Sequence, residues 1–242
     1  MTEEQLKSQV VWRFTTAQRP LGRWRLNAYV LRKRVAWQMV VAGAFFLKRA
    51  FDILFSFFAL VLLSPLFLCV AILIKLEDRG PVFLAQMRVG RHGQEFKMYK
   101  FRSMIVNAEA KLKELLAQNK HSGGVTFKIE NDPRITKVGR WLRKFSLDEF
   151  PQFYNVLRGD MSVVGPRPCL PREVDHYSLE QRRRLEVTPG LTCLWQIGGR
   201  AEINFSGQVQ LDVRYIESQS FLGDLVILAK TVPAVLMGKG AY

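Results

Sequence analysis

The chain has 242 residues, 36 Lys/Arg against 21 Asp/Glu, a formal net charge of +15 and 48% hydrophobic residues. That length suits one sizeable domain or a small domain with appendages, and the apolar content excludes wholesale disorder. Three cysteines, Cys69, Cys169 and Cys193, form no C-x-x-C pair and exclude a disulfide framework, which fits a reducing compartment. The histidines, His92, His121 and His176, are isolated, and no H-E-x-x-H, Walker loop or G-x-G-x-x-G occurs. A surface this basic seeks polyanions: nucleic acid, anionic lipid or phosphorylated substrates.

Residues 1–50 hold ten Lys/Arg and two acids, with Trp12 and Trp24 among Arg13, Arg19, Arg23 and Arg25. Arg and Trp together suit a membrane surface, and a flexible basic tail reads equally well. No cleavable signal is evident. From Ile53 to Ile74 there are 22 positions without a charge. As a helix that is about 33 Å, one bilayer core. Ser64-Pro65 interrupts it at the midpoint, and cations flank both ends (Lys48-Arg49, then Lys75 and Arg79). A spanning helix biases Lys/Arg to one side. Equal flanks favour a re-entrant helix that breaks at Ser64-Pro65, where Ser64 can bond a carbonyl the proline frees.

Beyond it, Gln86 to Lys100 reads as a β-hairpin that ends with Lys100 and Arg102 on one strand face. Residues 107–118 read as a helix and 119–127 as a loop. Residues 135–144 and 150–158 read as helices, 160–171 as an ordered loop, 175–187 as a basic helix and 188–192 as a turn. Leu194 to Gly199 reads as a strand and glycine turn presenting Arg200. Residues 207–220 read as a helix with Asp212 and Tyr215 on one face. The stretch from Leu222 to Met237 reads as a helix lying on a membrane or on the core.

The chemistry centres on Ser146-Leu147-Asp148-Glu149-Phe150-Pro151-Gln152, two adjacent acids in a basic region. One reading is a capping box, with Ser146 and Glu149 closing backbone donors and Phe145 and Phe150 as a hydrophobic staple. The other is catalytic. Adjacent carboxylates among cations can hold a divalent ion, and one can attack phosphorus. Both readings put the pair at a helix N-terminus, where phosphate also binds readily.

Several ordered motifs resemble those of the bacterial sugar transferases, the monotopic polyprenyl-phosphate phosphoglycosyl transferases. They include Lys48-Arg49-Ala50-Phe51-Asp52, Ser64-Pro65, Gly80-Pro81-Val82-Phe83, Tyr99-Lys100-Phe101-Arg102-Ser103-Met104 and Asp132-Pro133-Arg134-Ile135-Thr136. The acidic heptad, Gly159 to Pro168, Pro189-Gly190-Leu191-Thr192 and Leu211-Asp212-Val213-Arg214-Tyr215 complete the series. Each motif alone is weak, but all of them in one order are specific. The resemblance runs from about Lys48 to Tyr242.

The resemblance implies an α+β fold. A re-entrant helix-break-helix at Ser64-Pro65 (residues 48–76) would carry a small, mostly helical cytoplasmic catalytic domain (77–242) with a short β-hairpin and interfacial amphipathic helices. A basic leader, 1–47, stands where larger relatives carry a multi-helix membrane domain. It implies that Asp148 is the nucleophile on a UDP-sugar, that UMP is released, and that the phosphosugar passes from an aspartyl intermediate to undecaprenyl phosphate. This step would prime a surface polysaccharide at the inner face of the bacterial cytoplasmic membrane. Mg²⁺ is then expected on Asp148 and Glu149. Lys100, Arg102, Arg134, Arg143, Arg167, Arg200 and Asp212 are the candidate substrate-binding residues, and Arg182–Arg184 with the basic leader would meet anionic lipid heads. Nucleic acid is not an expected partner, because residues 53–74 would be left exposed. Residues 29–47 offer a surface on which two copies can pair. Two other readings compete: a membrane glycosyltransferase releasing UDP, and a non-catalytic membrane polyanion-binding protein in which the acids only cap a helix.

Overall fold

The computed structural model describes residues 2–17, 20–108, 110–111, 132–199 and 203–236. The helix expected at 107–118 falls mostly outside these, and the 119–127 loop and Arg200 fall wholly outside. The chain divides into two compact units, residues 1–48 and 49–242. The first contains α1 (Glu3–Ala17) and the opening of α2 (Pro20–Asp78). It exposes Trp12, Phe14, Trp24, Trp37 and Phe46.

Within the second unit, α2 buries one narrow face only: Asp52, Ser56, Val70 and Ile74. Leu54, Phe57, Phe58, Leu62, Leu68 and Leu76 are exposed. The helix is long and apolar enough to cross a membrane, and this uncovered apolar surface associates the protein with one. It runs helically through Pro65. Proline cannot donate to the carbonyl four residues earlier, that of Val61. The Ser64 hydroxyl donates to that carbonyl instead, at 2.8 Å.

The base of this apolar segment is tied to the rest of the unit by two charged residues. Arg49 donates to the carbonyls of Val156 and Leu157 at 2.6 and 2.8 Å. These are carbonyls in the last turn of a helix, where a cation also meets the negative end of the dipole. Asp52 accepts from the Val163 N–H at 3.0 Å. Phe51 packs edge-on to Phe221, and Phe55 packs on Phe153.

The hairpin pairs β1 (Phe83–Val89) with β2 (Glu95–Phe101) in antiparallel register, Phe83 opposite Phe101 and Val89 opposite Glu95. Next comes α3 (Lys137–Lys144), whose free N–H groups are capped twice: by Thr136 on Gly139, 2.9 Å, and by Glu77 on Lys137, 2.7 Å. After α4 (Gln152–Arg158), β3 (Ser162–Val164) lies parallel to β4 (Gly190–Thr192). The loop expected at 160–171 and the turn at 188–192 thus contain a strand pair. Strands of three residues are too short to show periodicity.

Gly165 and Gly190 let these two backbones touch. A Cβ on Gly190 would lie 2.0 Å from the Gly165 nitrogen. The basic helix expected at 175–187 is instead three short turns: α5 (Pro171–Val174), α6 (Leu179–Arg182) and a 3₁₀ turn, Arg183–Leu185. Ser178 and Gln181 form a capping box that restarts the chain there. The strand expected at 194–199 is also a helix, α7 (Leu194–Gly198). Leu194 and Ile197, three apart, both pack on the core, a helical spacing that the alternation of residue types disguised. The last helices, α8 (Phe205–Glu217) and α9 (Phe221–Leu236), fall where expected. Tyr215 joins them, its hydroxyl donating to Asp224 at 2.8 Å and lying 3.0 Å from the Val164 carbonyl.

Candidate active site

The acidic pair is not a capping box. Ser146 adopts a left-handed conformation, φ 54°, and its side chain caps nothing. That backbone costs a serine on the order of 1 kcal/mol. It turns the chain into a 3₁₀ turn, Leu147–Glu149, one turn ahead of α4. The Glu149 carboxylate points away from the backbone it was expected to cap. Its Oε1 accepts from Lys100 Nζ at 2.9 Å and from Arg167 at 2.8 Å.

Each cation is delivered by a joint of the fold. Lys100 arrives because Asn155, fully buried in α4, grips β2. Asn155 accepts from the Tyr99 N–H at 3.0 Å and donates to the Lys97 carbonyl at 2.7 Å. Arg167 arrives because the Gly165–Gly190 contact is locked by hydrogen bonds. The Gly190 N–H donates to Pro166 at 2.8 Å and the Gly165 N–H to Thr192 at 3.0 Å.

Asp148 is 9% exposed and has no hydrogen-bond or ion-pair partner among the described residues. Burial pushes its carboxyl above the ordinary carboxylate range; Lys100 opposes this and Glu149 adds to it. Burial also acts to raise Glu149, but Arg167 and Lys100 outweigh it and hold that carboxyl well below the ordinary range. Two adjacent acids are thereby made unlike. One is a bound anion, and the other is a desolvated carboxylate without a counter-charge of its own.

Both face a cavity of about 670 Å³. Its lining combines charged residues, Arg88, Lys100, Arg143, Asp148, Glu149 and Arg167 among them, with apolar ones such as Phe55, Phe150, Phe153, Leu228, Val232 and Val235. Thr192, Trp195, Gln196 and Gln208 supply uncharged polar groups. Of the substrate-binding candidates, Lys100, Arg143 and Arg167 meet here.

Three others do not line the cavity. Arg102 is ion-paired to Asp78, and Arg134 to Asp132 at 2.5 Å. Asp212 lies behind the wall and binds Arg184 at 2.7 Å, with burial pushing its carboxyl up to about 6 against that cation. Arg184 itself, expected at lipid heads, is 6% exposed and lines the cavity beside the rings of Tyr177 and Phe205. Arg183 pairs with Glu217 at 3.0 Å. Arg88 was missed by sequence reasoning; a lone arginine in a strand resembles a solvated one until its strand is docked.

No cluster of three or more His, Cys, Asp or Glu side chains suited to a metal occurs among the described residues. The donors present still fit Mg²⁺, which takes one or two carboxylates and completes its shell with substrate oxygens and water. Asp148 has both oxygens available, and Glu149 commits only Oε1 to its cations.

Replacing Glu149 by Gln leaves Lys100 and Arg167 facing a neutral amide and costs about 3 kcal/mol. Thermal unfolding in detergent should show it as a drop of about 2–4 °C for each kcal/mol lost. An unchanged midpoint would remove the ion-pair clamp from this description.

The sequence profile of the bacterial sugar transferases matches residues 43–238. The exopolysaccharide production protein ExoY of Sinorhizobium fredii is 45% identical over 198 residues, 81% of this chain and 88% of that protein. The undecaprenyl-phosphate galactose phosphotransferase of Salmonella typhimurium is 43% identical over 216 residues, 88% of this chain and 45% of that protein. The UDP-N-acetylgalactosamine-undecaprenyl-phosphate N-acetylgalactosaminephosphotransferase of Aeromonas hydrophila is 40% identical over 202 residues, 81% of this chain and 45% of that protein. With the profile covering most of its length and the ordered motifs built into one cavity, the chain belongs to the bacterial sugar transferase family.

Proposed function

We propose that this protein, a phosphoglycosyl transferase by family, moves a sugar 1-phosphate from a UDP-sugar to undecaprenyl phosphate through a phosphosugar–Asp148 intermediate. The observation that carries the reading is the buried Asp148 carboxylate, without a hydrogen-bond or ion-pair partner among the described residues, beside an ion-paired Glu149. An Asp148 oxygen attacks the phosphorus bonded to the sugar. The bond from that phosphorus to the bridging oxygen breaks, and UMP leaves with the electron pair. A phosphate oxygen of the lipid then attacks the acyl phosphate, and Asp148 regains its carboxylate. Desolvation favours the first step, since the carboxylate has no hydrogen bonds from the described residues to shed before bonding phosphorus.

Lys100, Arg143 and Arg167 hold the phosphate oxygens that crowd this centre. Glu149 keeps two of these cations aimed and stays ionised. Asp148 and Glu149 would hold Mg²⁺, which would supply further neutralisation of the diphosphate. The names of the Salmonella and Aeromonas relatives support undecaprenyl phosphate as acceptor and galactose or N-acetylgalactosamine among donor sugars. The apolar part of the cavity lining, which includes Phe55 of α2, suits the lipid end of the acceptor. The ExoY relatives support a role in exopolysaccharide production.

On this reading the catalytic domain, 77–242, sits at the cytoplasmic face of the inner membrane. Residues 48–76 enter the bilayer and return at Ser64-Pro65, and the leader 1–47 lies on the surface. The Ser64 bond to Val61 supports a bend there, because it satisfies the carbonyl left open by proline. Single cysteines at positions 48 and 75, in a chain cleared of its own three, should both react with an impermeant thiol reagent from the cytoplasmic side. Labelling from opposite sides would make the segment a spanning helix.

Wild-type protein with undecaprenyl phosphate, Mg²⁺ and a panel of UDP-sugars should release UMP, and Asp148→Asn none. Release of UDP would make the protein a glycosyltransferase instead. The pH dependence follows from Asp148. Its folded pKa is raised, so the reactive carboxylate is lost as pH falls through a value above the ordinary carboxylate range, and the acid limb of kcat/KM lies above that range too. The same shift means that the folded state binds the proton more tightly than the unfolded chain, so ionising Asp148 lowers stability. Asp148→Asn should therefore be inactive yet melt at or above the wild-type temperature.

A further inference from the structure

Six arginines among the described residues of the second unit are each matched by a carboxylate: Arg102 by Asp78, Arg134 by Asp132, Arg158 by Asp160, Arg167 by Glu149, Arg183 by Glu217 and Arg184 by Asp212. Arg49 faces the negative end of a helix. Arg88, on β1, faces neither among the described residues. One terminal nitrogen donates to the Pro168 carbonyl at 3.0 Å and the other to Gln86 Oε1 at 2.8 Å, both neutral acceptors. Its Nε–H is buried with no partner. Burial, with Arg167 adding repulsion, pulls the guanidinium down to about 10, although the Glu173 and Glu149 carboxylates act at longer range to raise it. A desolvated cation held this way destabilises the empty protein and gains most when an anion arrives.

We propose that Arg88 is a phosphate-binding residue of the cavity, taking a phosphoryl oxygen of substrate beside Arg167. The claim deepens the proposed function and rests on it. Arg88 lines the same cavity as Asp148 and Arg167. Pro168 and Gln86 fix the plane of its fork, so little side-chain freedom remains to be lost on binding. Pro168 also follows Arg167 directly, so one short segment orients both guanidinium groups. A fixed planar fork fits phosphate oxygens better than it fits any neutral part of either substrate. The ligand chemistry is a phosphate ester, and both the nucleoside diphosphate and the lipid phosphate carry it.

The test is titration calorimetry of the full chain in detergent with UDP, and separately with a short-chain polyprenyl phosphate. Wild type, Arg88→Met and Arg88→Lys are compared, each with its melting temperature. Arg88→Met should weaken one or both ligands by about tenfold or more, the loss of a charge-assisted hydrogen bond. The ligand affected identifies whose phosphate Arg88 holds. Arg88→Lys, which keeps the charge but not the fork, should lose less. The Met variant should melt no lower than wild type, because a desolvated guanidinium in direct contact with no carboxylate among the described residues has been removed. Wild-type affinity for both ligands in a folded Met variant would overturn the proposal. So would a Met variant that unfolds while the Lys variant binds both ligands normally, which would make Arg88 a structural tie. Absence of UMP release by wild type in the same preparations would count against the proposed function, a different outcome from either.

Discussion

Everything at this site depends on the grip of Lys100 and Arg167 on Glu149. Two neighbouring carboxylates in one turn repel each other and would share their proton. Committing one of them to a pair of cations breaks that symmetry, because the clamped acid stays ionised at any physiological pH while in its neighbour burial outweighs the pull of Lys100, Arg143 and Arg167. The left-handed Ser146 is part of the same arrangement. It spends backbone strain to turn Glu149 toward the hairpin and the Gly165–Arg167 segment, where a relaxed capping box would have turned it back on its own helix.

The clamp needs three segments distant in sequence to converge, and the fold contains a specific joint for each. Asn155 fastens the dyad helix to β2. The Gly165–Gly190 contact sets the course of the chain into Arg167. Arg49 and Asp52 fasten the apolar helix to α4 and β3. The last joint matters for an enzyme with one water-soluble and one lipid substrate. It places Phe55, a residue of the apolar helix, in the wall of the cavity that holds Asp148.

Much of this was legible in the sequence where the physics is local or the pattern long. The hairpin, α3, α4, α8 and α9, the charge-free run and the Ser64 compensation for Pro65 all follow from periodicity, caps and proline geometry. The dyad and three of its cations could be named as well. What escaped depends on contacts between remote segments. The strand pair at 162–164 and 190–192 is set by a close approach of two glycines, not by alternation. Ser146 and Glu149 have the letters of a capping box, but tertiary ion pairs outcompete a local backbone bond. Arg102, Arg134 and Asp212 sit in the motifs as prominently as Arg167, yet each is spent on a neighbouring charge. Arg88 and Arg184 carried no signal of their own, since only packing reveals which arginines of a basic chain turn inward.

The account's central claim is that Asp148 bonds to phosphorus, and trapping that bond tests it most directly. The protein is mixed with a UDP-sugar and Mg²⁺ without lipid acceptor, quenched and digested, and the peptide containing residues 146–152 is weighed. The account predicts a peptide heavier by one phosphosugar, carried on Asp148, discharged by adding undecaprenyl phosphate and missing in Asp148→Asn. An unmodified peptide in a preparation that turns over with both substrates would contradict it, and would mean direct attack of the lipid phosphate on the donor, with Asp148 serving only the cation.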